Sequence, residues 1–180
     1  MPAAPLPPEE DARLRNLKQY LVLDSPPEKA FDSITQYAAT FFDVPIALIS
    51  LIDQNRQWFK SCFGVDINET PRDVAFCSYA ILSDDILVIP DTTLDPRFSN
   101  NPLVTGEPNV RFYAGAPLRT AEGYNIGTLC LIDTKPREFG FDQKSKLQHL
   151  AKVVTTRLQL RLATLKLAEA NAKYLNDKEK

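Results

Sequence analysis

Apolar positions along the chain change their spacing several times, and each change predicts an element. Leu14, Leu17 and Leu21 follow a proline-rich leader at helical steps, so residues 9–22 are expected to form a short amphipathic helix. Ser25-Pro26-Pro27-Glu28 then combines a capping hydroxyl, a proline suited to the first helical position and the carboxylate of a capping box. A second helix is expected to start there. Phe31, Ile34, Ala38 and Phe41 would form its buried face, and Asp43 and Pro45 would stop it.

From Pro45 the period shortens. Ile46-Ala47-Leu48-Ile49-Ser50-Leu51-Ile52 is a nearly continuous apolar run, the pattern of a strand covered on both faces. The polar Asp53-Gln54-Asn55-Arg56 turns the chain into a second, antiparallel strand over 57–63, which ends at Gly64. Asp73 is expected to cap a short helix over 74–82, and residues 86–89 form a third strand stopped by Pro90. Asp95-Pro96-Arg97-Phe98 repeats the cap-then-proline signal of a helical turn. It lies within a polar stretch, 91–109, whose length marks it as a lid or binding segment rather than a plain connection. Residues 110–118 and 125–133 supply two more strands around a turn at Glu122-Gly123.

The last proline is Pro136 and the last glycine Gly140. Beyond them Leu147, Leu150, Val154, Leu158, Leu162, Leu165, Ala168, Ala172 and Leu175 recur at steps of three and four, the coiled-coil period. One helix of about 35 residues, about 50 Å long at 1.5 Å per residue, would outreach a body of this size. The chain thus divides into a disordered leader (1–8), a body (9–140) and a C-terminal helix serving as a coiled-coil signalling linker (141–180). The order of elements specifies an α+β fold, a mostly antiparallel sheet with helices outside.

Composition narrows the function. Of 180 residues 44% are apolar, enough to bury a core without staples. Lys+Arg 21 against Asp+Glu 23 leaves a net charge of −2, which argues against nucleic acid and against a membrane surface as partners. The leader lacks the basic flank and apolar run of a signal peptide, so a cytoplasmic location is expected. Cys62, Cys77 and Cys130 are widely separated, and the single histidine, His149, sits in the C-terminal helix. Neither a disulfide framework nor a metal cluster follows from that spacing, and the cysteines read as small hydrophobes in apolar elements. Without a Gly-x-Ser-x-Gly or a phosphate-cradling loop, an enzyme is disfavoured.

Seven blocks, in order, carry a resemblance. They are Leu23-Asp24-Ser25-Pro26-Pro27-Glu28; Asp53-Gln54-Asn55-Arg56-Gln57-Trp58-Phe59-Lys60-Ser61; Glu69-Thr70-Pro71-Arg72-Asp73 with Phe76-Cys77; and Val88-Ile89-Pro90-Asp91 with Asp95-Pro96-Arg97-Phe98. Asn101-Pro102-Leu103-Val104, Phe112-Tyr113-Ala114-Gly115-Ala116-Pro117-Leu118 and Ile126-Gly127-Thr128-Leu129-Cys130-Leu131-Ile132-Asp133 complete them. Over residues 17–160 the chain resembles the GAF domain, the small-molecule-sensing module of signalling proteins, in the form found upstream of bacterial histidine kinases and diguanylate cyclases. The resemblance implies a central antiparallel sheet of five or six strands with helices on both faces. One face would carry the terminal helices, and the other a pocket roofed by the helix near Cys77 and the long loop. It also implies a homodimer through the terminal helices that controls an output domain, carried on a longer polypeptide or on a partner protein because this chain stops at Lys180.

The ligand-binding residues implied are Trp58, Phe76, Cys77 and Tyr113 as apolar walls, with Asp91 or Arg111 as polar fixtures. Their structural alternative is that the aromatics only fill a core, while Asp91 and Asp95 cap turns and Arg97 and Arg111 pair with them. Two other functions compete. A thiol-dependent free methionine-R-sulfoxide reductase would need reactive cysteines, but the Gly-Val-Cys-Gly loop of that branch is absent. A ligand-free dimerisation module would need none. No cofactor is expected. Cys77 is followed by Ser78-Tyr79 and the body holds no histidine, which disfavours a bilin, and His149 is a poor haem ligand. The Asn-Lys-Phe-Asp-Glu set of cyclic-nucleotide GAF domains does not occur.

Overall fold

The computed structural model describes residues 2–178. Two helices, α1 (Glu10–Gln19) and α2 (Lys29–Phe42), precede strands β1 (Ile46–Ile52), β2 (Arg56–Phe63) and β3 (Glu69–Pro71). A 3₁₀ turn (Arg72–Val74) and the single helical turn α3 (Cys77–Ala80) lead to β4 (Leu87–Ile89) and α4 (Pro102–Thr105). Strands β5 (Phe112–Arg119) and β6 (Asn125–Asp133) follow, and α5 (Phe141–Lys178) ends the described chain. The sheet runs β3-β2-β1-β6-β5-β4 with antiparallel neighbours throughout. The expected α+β architecture, with helices on both faces and a long C-terminal helix, is present.

The sheet separates two cores because its central strands are apolar on both sides. Ala47, Ile49, Leu51, Leu129 and Leu131 face α2 and α5, with Leu17 of α1 in the same core. Ile46, Leu48, Ile52, Cys130 and Tyr113 face α3, α4 and the 91–109 segment. A bulge shifts the β1–β2 register between Ile49 and Ser50, so that Lys60 and Ser61 both turn toward the helical layer. Gly64 ends β2 at φ 85°, where a Cβ would lie 1.9 Å from the Pro45 carbonyl oxygen, so only glycine fits the turn.

Several boundaries differ from the sequence reading. Leu21 adopts φ 53° and points outward, and Val22 takes the buried place. Ser25 does not cap a helix: its hydroxyl donates to the Val22 carbonyl and accepts from Lys60, and α2 begins later without a side-chain cap. Phe42, rather than Phe41, is buried at the end of α2. The helix expected over 74–82 is split, because Ala75 is extended between the 3₁₀ turn and α3. The helical turn expected at Asp95 is present, with the Ser99 N–H donating to the Asp95 carbonyl at 2.9 Å and the Asp95 carboxylate accepting from the Arg97 N–H at 2.9 Å. Residues 2–8, expected as a disordered leader, make contacts with the body, among them a hydrogen bond from Tyr79 Oη to the Pro2 carbonyl.

The C-terminal helix also needs correction. Leu147, Ala151, Val154 and Leu158 are buried in the body, so the first half of the coiled-coil repeat covers this chain's own sheet. Leu165 and Leu175, in the second half, are exposed. No helix among the described residues is long and apolar enough to cross a membrane.

Candidate functional site

A cavity of about 380 Å³ lies between the sheet and the roof. Its floor is Ile46 and Leu48 of β1, Phe59 of β2, Tyr113 of β5, and Cys130 and Ile132 of β6. Phe76, Cys77, Leu103 and Val110 close it from above, and Val65, Ile67 and Glu107 flank it, the last two exposed to solvent. Almost all of this wall is hydrocarbon.

The roof is fixed by stacking and by buried hydrogen bonds. Phe76 stacks between Phe98 and Tyr113, at 4.8 and 5.3 Å between ring centroids. Buried Asn101 donates to the Val74 carbonyl and accepts from the Leu103 N–H, tying the long loop to the 3₁₀ turn. Thr92 anchors the same loop on the Val110 and Arg111 carbonyls.

Gln57 is a buried polar group in the wall. It is 5% exposed; its Nε2 donates to the Thr70 hydroxyl at 3.0 Å, while its Oε1 is buried with no partner. One hydroxyl can meet only one end of an amide, so the other end is a standing vacancy for hydrogen bonding. An unmade hydrogen bond of this kind costs about 1–3 kcal/mol.

At the opposite end, four side chains from three strands gather around one sulfur. The Cys77 Sγ accepts from Tyr113 Oη at 3.2 Å and from Thr128 Oγ1 at 3.1 Å, and lies 3.8 Å from the Cys130 Sγ. Ser50 supports Thr128 at 3.0 Å. Gly115 makes this possible, because a Cβ there would sit 2.1 Å from the Tyr113 hydroxyl. Burial alone pushes the Cys77 thiol up, but hydrogen bonds from Cys130, Ser50, Thr128 and Tyr113 outweigh it and bring the thiol below its ordinary range. Cys130 and Tyr113 shift the other way, well above theirs: Cys130 through its hydrogen bond to Cys77 and burial, Tyr113 through burial and the charge of Cys77. Cys62 stands apart, and burial pushes it up to about 12.

Of the six residues expected at the site, Phe76, Cys77 and Tyr113 line the cavity. Trp58 does not. It pairs with Leu51 and faces the helical layer, since strand alternation gives the cavity side to Phe59. Asp91 accepts from the Thr93 N–H and hydroxyl in a separate shallow cleft with Pro90 and Leu94, so it caps a turn. Arg111 donates to the Val104 and Val110 carbonyls and braces the loop from outside. Gln57 was missed because an amide beside Trp58 on a strand carries no sequence signal for an orphaned oxygen. Among the described residues no His/Cys/Asp/Glu group could hold a metal ion.

This arrangement, an antiparallel sheet with terminal helices on one face and a roofed cavity on the other, is that of a regulatory domain of signalling proteins. A model of the GAF domain matches residues 26–158, and the chain belongs to the GAF family. It is 43% identical over 175 residues to the cyclic di-GMP phosphodiesterase PA2567 of Pseudomonas aeruginosa. That alignment covers 97% of this chain and 30% of the relative, so the chain spans about a third of the curated protein it matches. A free methionine-R-sulfoxide reductase from Neisseria meningitidis, in complex with its substrate, superposes with a TM-score of 0.63 at 17% identity, over 91% of this chain and 99% of that one. The GAF domain of a phosphoenolpyruvate-protein phosphotransferase from Acinetobacter gives 0.57 at 14%, over 88% and 98%. At such identities the likeness is one of fold. The chain is a sensory or regulatory domain of a signal-transduction protein.

Proposed function

We propose that this chain is the sensory part of a protein that turns over cyclic di-GMP, and that it binds a small, largely apolar molecule bearing one complementary polar group. The observation that carries this reading is the buried Gln57 amide with one unpartnered end in a cavity walled mostly by hydrocarbon. An apolar ligand body would displace poorly held water, and its polar group would complete the amide's hydrogen bonds. The 43% identical phosphodiesterase favours cyclic di-GMP turnover over a histidine kinase or a diguanylate cyclase as the output. Two copies would pair through the exposed second half of α5, where Leu160, Leu165 and Leu175 are uncovered.

Native mass spectrometry of freshly purified chain tests this. The expected result is a bound small molecule that is lost in Gln57→Leu and in Ile132→Trp, the second filling the cavity. A bare chain, together with no rise in melting temperature across a panel of indole- and phenol-type compounds, would leave the dimerisation module as the better reading.

A further inference from the structure

Cys77 and Cys130 lie 53 positions apart in sequence and meet where the roof closes on the floor of the cavity, 3.8 Å between sulfurs. Cys77 belongs to the roof and Cys130 to a central strand, so a bond between them would join the two halves of the cavity. The pair is asymmetric. Tyr113 and Thr128 both donate to the Cys77 sulfur and thereby favour its thiolate, the nucleophilic form. Among the described residues no carboxylate has a hydrogen bond or ion pair with either sulfur. Cys62, the third thiol, lies in a different setting, donating to the Ile67 carbonyl.

We propose that Cys77 and Cys130 form a peroxide-oxidisable thiol pair, reached through the apolar cavity by an organic hydroperoxide and closing to a disulfide that ties the roof to the sheet. This does not depend on the cavity having a resident ligand. In the first step the Cys77 sulfur attacks the outer oxygen of the hydroperoxide. The S–O bond forms, the O–O bond breaks, and the alkoxide leaves as the alcohol with the proton given up by the thiol. In the second step Cys130 attacks the resulting sulfenic acid: the S–S bond forms, the S–O bond breaks, and the hydroxyl leaves as water with the proton from Cys130. Two thiols are oxidised and one hydroperoxide is reduced, so the balance closes. The sulfurs must approach from 3.8 Å to about 2 Å, within reach of side-chain rotation and a small shift of the single-turn α3. The hydrocarbon wall selects an organic hydroperoxide over hydrogen peroxide, since the latter gains nothing from apolar burial.

The test uses the full chain, fully reduced and then exposed to cumene hydroperoxide or to hydrogen peroxide, with alkylation and peptide mapping by mass spectrometry. The expected product lacks two alkylatable thiols, contains a Cys77–Cys130 linkage, keeps Cys62 free, returns to the dithiol with dithiothreitol and melts higher than the reduced chain. Cys130→Ser should stop at a Cys77 sulfenic acid that dimedone traps, Cys77→Ser should lose the reaction, and Tyr113→Phe should slow it. The mapping of the unaltered chain decides the matter even where a serine variant fails to fold. Three thiols still alkylatable after excess oxidant, a disulfide involving Cys62, or a folded Cys77→Ser chain oxidising Cys130 as fast as the parent would each overturn the proposal. Faster reaction with hydrogen peroxide would overturn the choice of an organic hydroperoxide.

Discussion

Arg161 of α5 donates to Glu28, the residue before α2, at 2.7 Å, and it is among the last residues through which the long helix touches the body. The same carboxylate meets Lys60 of β2 at 2.5 Å, and Arg161 also donates to the Tyr20 and Leu21 carbonyls. One carboxylate therefore holds together the α1–α2 connection, the sheet and the departing helix. Burial raises the pKa of Glu28, but hydrogen bonds and charge from Lys60 and Arg161 prevail and hold it below the usual carboxylate value.

A group with a lowered folded pKa stabilises the protein above its unfolded value and ceases to do so as pH falls through the folded one. The stabilisation from Glu28 is thus complete at neutral pH and fades below about pH 4.5. Glu28→Gln should cost about 1–3 kcal/mol at pH 7, less than a fully buried pair because Glu28 is one-third exposed. Melting temperatures from pH 7 to 3 check it: the variant should lose less on acidification, and parallel curves would count against the assignment.

Glu10 joins α1 to the start of the roof, pairing with buried Arg13 at 2.8 Å and with Arg72 at 2.5 Å. Glu10→Gln would leave both guanidinium groups without a counter-charge. A loss of about 2–4 kcal/mol is expected in urea denaturation at neutral pH. A loss no larger than that of an exposed pair such as Arg119–Asp84 would show that the backbone carbonyls around Arg13 and Arg72 suffice.

Gly115→Ala should destabilise by about 1–3 kcal/mol, because the new methyl would occupy the place of the Tyr113 hydroxyl. In a Tyr113→Ala background the same change should be nearly free. A double-mutant cycle in guanidinium measures this, and additive losses would mean that strand backbone rather than the ring sets the limit.

The two halves of α5 should respond differently to substitution. Leu158→Ala removes a fully buried side chain and should cost about 2–5 kcal/mol without altering association. Leu165→Asp with Leu175→Asp should leave the fold intact and yield monomers in sedimentation. An assembly unchanged in that double variant would place the contact between copies elsewhere.

Periodicity located the strands well, because the apolar run of β1 and the paired strands β5 and β6 differ sharply from their polar turns. It located the ends of helices poorly where tertiary partners claimed the capping groups. Ser25 and Glu28 have the composition of a cap, yet Lys60, brought round by a bulge, takes both. The site was legible where one element supplied it, as with Phe76 and Cys77. It failed at Trp58 and Gln57, whose side of the sheet depends on register, and at Cys130, whose distance from Cys77 depends on how the roof folds over. Reading α5 as one seam overlooked that its first half, through Leu147, Ala151, Val154 and Leu158, covers this chain's own sheet.

The part of α5 from 163 to 178, exposed throughout, runs on for about 24 Å as an unbroken helix. A helix turns about 100° per residue, so this stretch fixes a rotational phase as well as a distance. Adding one residue to it would swing whatever is joined beyond by about 100°, whereas adding seven would return it to within about 20° of its starting direction. Under the proposed coupling to an output domain, signal output should therefore follow insertions periodically, like a dial, rather than decline steadily with length.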